Sequence, residues 1–176
     1  MSRVRFAVAC ALLGAVLAPS AATAQSSPLA CKPWGRKPPL GTLCTLAHDD
    51  TVKGRRLPAG TLLRYDSTGA LIFFWLTKPA VIDGLALEGS SDGPHHTLFP
   101  DGAPRMWWLS RTQDVQSVPC RPIRFWTEVV GRSSAVYFHR NGTLAACRLG
   151  RAAVVRGRRF ASGDRVAFDS TGALVP

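Results

Sequence analysis

Four histidines are the residues of this chain best suited to chemistry, and two of them are adjacent. His95 and His96 close the run Gly89-Ser90-Ser91-Asp92-Gly93-Pro94-His95-His96. Together with Asp92 they could hold a metal ion, because imidazole and carboxylate are common metal ligands. Alternatively, His95 could serve as a general base toward Ser90 or Ser91. The same run also reads as a polar loop, since Asp-Gly-Pro is turn chemistry. A second polar cluster, His48-Asp49-Asp50, has Arg151-Ala152-Ala153 at the corresponding place near the other end of the chain, so no repeated feature requires it. His139 precedes the turn Arg140-Asn141-Gly142 and reads as its decoration. Glu88 and Glu128 are the only glutamates, and no nucleophile elbow, phosphate loop or zincin motif occurs. An enzyme is therefore the lesser reading, and nothing calls for a cofactor.

Aromatic residues offer a different chemistry. Phe74-Trp75-Leu76 and Trp107-Trp108-Leu109 are equivalent triplets, and Trp126 lies beyond them. If these are strands, alternation sends one ring of each pair inward and the other outward. Trp75, Trp107, Trp108 and Trp126, flanked by Arg105, Arg111 and Arg124, could then form a surface that stacks on sugars or anchors a partner. The plainer alternative is that both rings of each pair belong to the core.

Charge fits a binding role. The formal net charge is +11, with 22 basic against 11 acidic residues. Such a balance favours anionic partners, although arginines spread over a solvated surface would give the same total. Arg3 and Arg5 followed by the apolar run Phe6–Ala18, the breaker Pro19-Ser20 and the small residues Ala22-Thr23-Ala24 have the form of an export signal. Residues 1–24 are accordingly expected to be a signal peptide cleaved between Ala24 and Gln25, delivering a periplasmic or secreted chain. Cleavage removes two basic and no acidic residues, taking the charge from +11 to +9. No later stretch has the length of a membrane span. Nucleic acid is an improbable partner for an exported protein, which leaves an envelope protein or an anionic envelope polymer.

Four cysteines then remain: Cys31, Cys44, Cys120 and Cys147. In an oxidising compartment an even number favours disulfides, and close C-x-x-C spacing, as in zinc sites, is missing. Cys44 and Cys147 each stand two residues before a leucine that opens a recurring unit. That equivalence favours Cys31 with Cys44 and Cys120 with Cys147.

The recurring unit is the element that must position all these residues. Gly54-Arg55-Arg56-Leu57-Pro58-Ala59-Gly60 resembles Gly157-Arg158-Arg159-Phe160-Ala161-Ser162-Gly163, and each is followed by Asp-Ser-Thr-Gly-Ala-Leu, at 66–71 and 169–174. Two more worn copies lie between. The units open at Leu46, Leu76, Leu109 and Leu149, and six residues later stand Val52, Ile82, Val115 and Val155. Two residues further are Gly54, Gly84, Ser117 and Gly157. Each unit ends on a polar turn with Gly69, Gly102, Gly142 or Gly172, preceded by an aromatic residue. Leu63-x-Tyr65, Val136-x-Phe138 and Val166-x-Phe168 alternate with period two, the mark of a half-buried strand. Asp101-Gly102 and Asn141-Gly142 are strong signals for tight hairpins, and Gly60 and Gly163 mark further turns.

The expected fold is all-β: four degenerate two- to three-stranded hairpin repeats, stacked as a meander or β-roll, in one domain over 44–176. The units fall at about 44–74, 75–107, 108–146 and 147–176, and residues 25–43, rich in proline, form an N-terminal cap. The glycines, turn residues and strand hydrophobics of 44–176 resemble the degenerate hairpin repeats of uncharacterised exported bacterial proteins. They are also distantly similar to variant MORN-type repeats, though with longer, irregular spacing and without the repeated Tyr-x-Gly. That resemblance implies a scaffold or interaction role and carries over no catalytic residue. An exported, non-enzymatic binding or scaffold protein of the envelope is thus the leading expectation. A small secreted hydrolase or metal-dependent enzyme using His95 and His96 is the first alternative, and a secreted effector or toxin-associated protein the second.

Overall fold

The computed structural model describes residues 29–35, 40–91, 93–123 and 133–175. The expected leader, Ala24-Gln25 included, lies outside them. Among the described residues there are seventeen strands and no helix. The N-terminal part of the chain gives β1 (Leu29–Trp34), β2 (Gly41–Leu46), β3 (Asp50–Val52), β4 (Arg55–Leu57), β5 (Leu62–Asp66) and β6 (Leu71–Trp75). The middle of the chain gives β7 (Ala80–Ile82), β8 (Leu85–Leu87), β9 (His96–Leu98), β10 (Pro104–Trp107), β11 (Gln113–Val115), β12 (Val118–Cys120) and β13 (Val136–Phe138). The last four are β14 (Leu144–Arg148), β15 (Ala153–Val155), β16 (Arg158–Phe160) and β17 (Arg165–Ala167).

Nine of these strands make one antiparallel sheet in the order β1-β2-β5-β6-β9-β10-β13-β14-β17. The other eight form four separate hairpins, β3–β4, β7–β8, β11–β12 and β15–β16, each inserted between two neighbouring strands of the large sheet. Successive hairpins adjoin: β4 lies beside β7, β8 beside β11 and β12 beside β15. The core fills the space between sheet and hairpins. Leu46, Leu76, Leu109 and Leu149, the four opening leucines, are each no more than 1% exposed. Burying such a side chain contributes about 1.5–3 kcal/mol, so the recurrence of leucine there is a packing requirement. Ile82, Val115 and Val155 are buried with them, and Val52 packs against the same core.

Alternation divides the sheet into two faces. Cys44, Leu63, Phe74, Trp107, Val136 and Val166 look toward the hairpins and belong to the core. The row directly beside them crosses the whole sheet without a break: Lys32↔Leu43↔Arg64↔Phe73↔Thr97↔Met106↔Tyr137↔Ala146↔Ala167. This row belongs to the opposite face, which is open in part: Leu43, Phe73 and Ala146 are buried, Lys32 is exposed and the others are half-buried.

Two turn chemistries set the geometry. At the tips of the small hairpins, Lys53-Gly54, Asp83-Gly84, Gln116-Ser117 and Arg156-Gly157 all have positive φ, between 49° and 80°. Two successive left-handed residues define the type I′ turn that matches strand twist. The turns joining β5 to β6, β9 to β10 and β13 to β14 are one residue wider. Gly102 donates its N–H to the Phe99 carbonyl while Phe99 donates to Ala103, and Gly142 and His139 repeat this pattern. With Gly102 and Gly142 at φ +88° and +82°, these are three-residue loops closed by a glycine bulge. Gly102 and Gly142 do close hairpins, but the tightest turns fall at the tips of the small hairpins. Asp66 shows why its motif recurs: Oδ1 accepts from Thr68 N, Thr68 Oγ1 and Ala70 N at 2.8, 2.6 and 3.0 Å. Asp169 does the same with Thr171 and Ala173. Hydrogen bonds from Thr68 and Thr171 hold these two carboxyls below the usual range.

Both disulfides are present, Cys31–Cys44 and Cys120–Cys147. The first ties neighbouring strands β1 and β2, whereas the second joins hairpin strand β12 to sheet strand β14. Leu29–Trp34 is a full strand and β2 begins at Gly41, so the sheet reaches well into the proline-rich stretch. Pro33 is tolerated because β1 is an edge strand, where a missing N–H need break no ladder. No helix among the described residues is long and apolar enough to cross a membrane.

Candidate functional site

The open face carries an aromatic cluster built on one arginine. Arg64 on β5 and Phe73 on β6 are cross-strand partners, so their side chains rise from the same face side by side. Trp75 lies two residues beyond Phe73 and therefore on the same face. Trp34 ends the edge strand β1 opposite Gly41, which has no side chain to obstruct it. His95, just before β9, completes the group.

The distances show a connected stack. The Arg64 guanidinium lies 4.9 Å from the Phe73 ring centre and 5.5 Å from that of Trp34. Trp75 meets Phe73 edge-on at 4.7 Å and Trp34 at 6.2 Å. His95 adds contacts of 4.9 Å to Phe73 and 5.5 Å to Trp75. Indole Nε1 of Trp75 donates to the Gly93 carbonyl at 3.1 Å, which fixes the ring. Phe73 is buried, while Trp34, Arg64, Trp75 and His95 are half-buried, each showing part of its surface to solvent. Buried Nε of Arg64 has no hydrogen-bond partner among the described residues. Burial, and then the neighbouring Arg64 charge, lower the His95 pKa, so at neutral pH the cluster carries one cation on a platform of rings. A partly desolvated guanidinium over aromatic faces is worth about 2 kcal/mol and offers an acidic group a charged, rigid contact.

His96 goes the other way. Its neighbour alternates onto the open face, and His96 itself is fully buried in the core, stacked on Phe74 at 4.9 Å. Nε2 is 2.9 Å from the Glu88 carbonyl and Nδ1 accepts the Trp108 N–H at 3.3 Å. Both ring nitrogens are therefore engaged with main chain, the proton sitting on Nε2. Burial pushes the pKa down to about 4, so the ring is neutral at physiological pH. Asp92 lies outside the described residues. Among the described residues no group of three or more His, Cys, Asp or Glu is placed to hold a metal ion.

The arginines and tryptophans singled out from the sequence are scattered. Trp75 joins the cluster. Trp107 is 1% exposed, meeting Phe74 and Phe138 edge-on within the core, and it presents no surface to a partner. Trp108 is on the other face but only 9% exposed. Arg105 is the exposed bulge residue of β10, 5.9 Å over Phe99, and Arg111 is exposed beyond Leu109. Arg124 and Trp126 lie outside the described residues. Trp34, Arg64 and Phe73 carry no local sequence signal for a site. Their common signal was available only through pairing, since Arg64 and Phe73 oppose each other across a turn whose glycine fixes the register.

No family model, curated protein or solved structure matches this chain. Function must therefore be argued from the geometry itself.

Proposed function

We propose that this chain is an exported, non-enzymatic binding protein that engages an anionic polymer of the cell envelope through the open face around Trp34, Arg64, Phe73 and Trp75. In this reading its four units are worn copies of one hairpin repeat akin to MORN-type repeats, rolled into a rigid scaffold, with β1 and the proline-rich segment as its cap. The observation that carries the proposal is Arg64, held between Trp34 and Phe73 on a face that the hairpins leave open. A net charge of +9 after removal of the leader draws polyanions toward the molecule, and the ring platform then gives the contact a shape that charge alone lacks. Two disulfides suit an oxidising compartment and support export. A hydrolase centred on His95 and His96 finds less support, because the two rings sit on opposite faces and His96 has no nitrogen to spare.

Retention of the chain on envelope polysaccharide and lipopolysaccharide, at about 50 and about 300 mM salt, tests the proposal. Trp75→Ala and Arg64→Gln should each weaken retention about tenfold while leaving the circular dichroism unchanged. Variants retained as strongly as the unaltered chain, or retention that vanishes at the higher salt for all alike, would mean generic charge attraction and refute a specific site. Capture of one protein in place of polymer would overturn the assigned partner class.

A further inference from the structure

A groove of about 380 Å³ opens on the hairpin side of the molecule, between the third and fourth hairpins. Val118, Leu144, Val155 and Phe168 form its floor and are all members of the core. Its rim is polar, with Gln116, Thr143, Thr171 and Arg156. An adjoining recess adds Arg158 beside Arg156.

Alignment of the units explains why the space is open. Lys53-Gly54-Arg55 of the first hairpin corresponds to Gln116-Ser117-Val118 of the third, and Asp83-Gly84 of the second to Arg156-Gly157 of the fourth. At the first junction Arg55 spans the gap between hairpins. Its Nε meets Asp83 Oδ2 at 2.7 Å, its Nη1 donates to the Gly102 carbonyl, and its guanidinium lies 5.6 Å from the Trp107 ring centre. At the later junction a valine stands where Arg55 would, too short to span, and an arginine stands where Asp83 would. The filling side chain is lost and so is the carboxylate. Arg156 makes no hydrogen bond or ion pair with the described residues, and its Nη2 reaches toward Gly172 on the groove wall.

We propose that this groove binds a small amphipathic anion, a monocarboxylate with a short apolar body. The carboxylate pairs with Arg156, supplying the negative charge that Asp83 supplies at the first junction. The apolar body lies over Val118, Leu144, Val155 and Phe168, taking the volume that the Arg55 stem takes there. A preformed cleft with an apolar floor and one charged anchor is the usual form of a small-molecule site, and arginine is well suited to a carboxylate. This site is independent of the aromatic face, so either proposal can fail alone.

Two-dimensional amide NMR of the chain titrated with octanoate tests it, with acetate and octyltrimethylammonium as controls. Octanoate should shift the amides of Ser117, Thr143, Thr171 and Gly172 saturably, while acetate, lacking the apolar body, and the cation should not. Arg156→Gln should weaken octanoate binding about tenfold. Val118→Arg, which restores the first junction's filling residue, should abolish it. If Val118→Arg disturbs the spectrum as a whole, the exposed Arg156→Gln variant decides. No saturable shift with octanoate, equal shifts with the cation, or unchanged affinity in Arg156→Gln would overturn the proposal.

Discussion

Acid should weaken this fold through His96 before any carboxylate is involved. The ring is fully buried, and its pKa falls from the ordinary 6.5 to about 4 because burial disfavours the charged form. A folded-state pKa below the unfolded value means that the unfolded chain takes up the proton first. Stability is then complete above the unfolded pKa and is lost as pH falls through the window from about 6.5 to about 4. A gap of about 2.5 units corresponds to about 3.4 kcal/mol in all, and about 2 kcal/mol of this is gone by pH 5. Asp66, Asp101 and Asp169 have lowered carboxyl pKa values, so their losses come at lower pH and do not mask the effect. His95, also lowered, is present in both proteins to be compared. Urea unfolding at pH 7.5 and pH 5.0 should therefore show the unaltered chain losing about 2 kcal/mol more than His96→Gln. Equal losses in the two proteins would refute the assignment of a neutral, main-chain-bonded His96.

Other consequences are as direct. Ser117 is the one non-glycine at the second position of the four hairpin tips, with φ +69°, so Ser117→Gly should raise stability by about 1 kcal/mol in thermal or urea unfolding. Arg55→Met keeps the stem but removes the bonds to Asp83 and the Gly102 carbonyl, and should cost about 1–2 kcal/mol by the same measurement. Cys120→Ser with Cys147→Ser should lower stability by about 3.5 kcal/mol, as expected for opening a loop of 27 residues. A non-reducing peptide map should show that pair joined and Cys31 joined to Cys44.

What could be read from residues alone follows how local each signal is. The opening leucines, the turn glycines and the period-two stretches depend on neighbours within a few residues, and all lie where that logic puts them. The cysteine pairing was legible because Cys44 and Cys147 share a place relative to Leu46 and Leu149. The first strand was hidden by Pro33, whose breaking effect an edge strand escapes. The aromatic cluster was hidden for another reason: Trp34, Arg64 and Phe73 are brought together by register among β1, β2, β5 and β6. His95 and His96 illustrate the same point. Adjacent in sequence they resemble one site, yet strand alternation sends them to opposite faces.

Where the disulfides fall also determines how the molecule would bear load. The position two before each opening leucine is Cys44, Phe74, Trp107 and Cys147 in turn, so covalent links replace aromatic packing toward the two flanks of the sheet. An antiparallel sheet pulled from its edges peels one strand at a time, like a zip. With Cys31–Cys44 closed, β1 cannot peel away from β2, and with Cys120–Cys147 closed the third hairpin cannot leave the sheet. Together the bridges withhold stretches of 13 and 27 residues from extension. Reduction would release about 130–140 Å of additional contour length in a pulling experiment. A tether held at its ends would thus yield between Cys44 and Cys120 and in the segment after Cys147, where β17 is an edge strand outside both bridges, leaving only the stretches within the bridges closed.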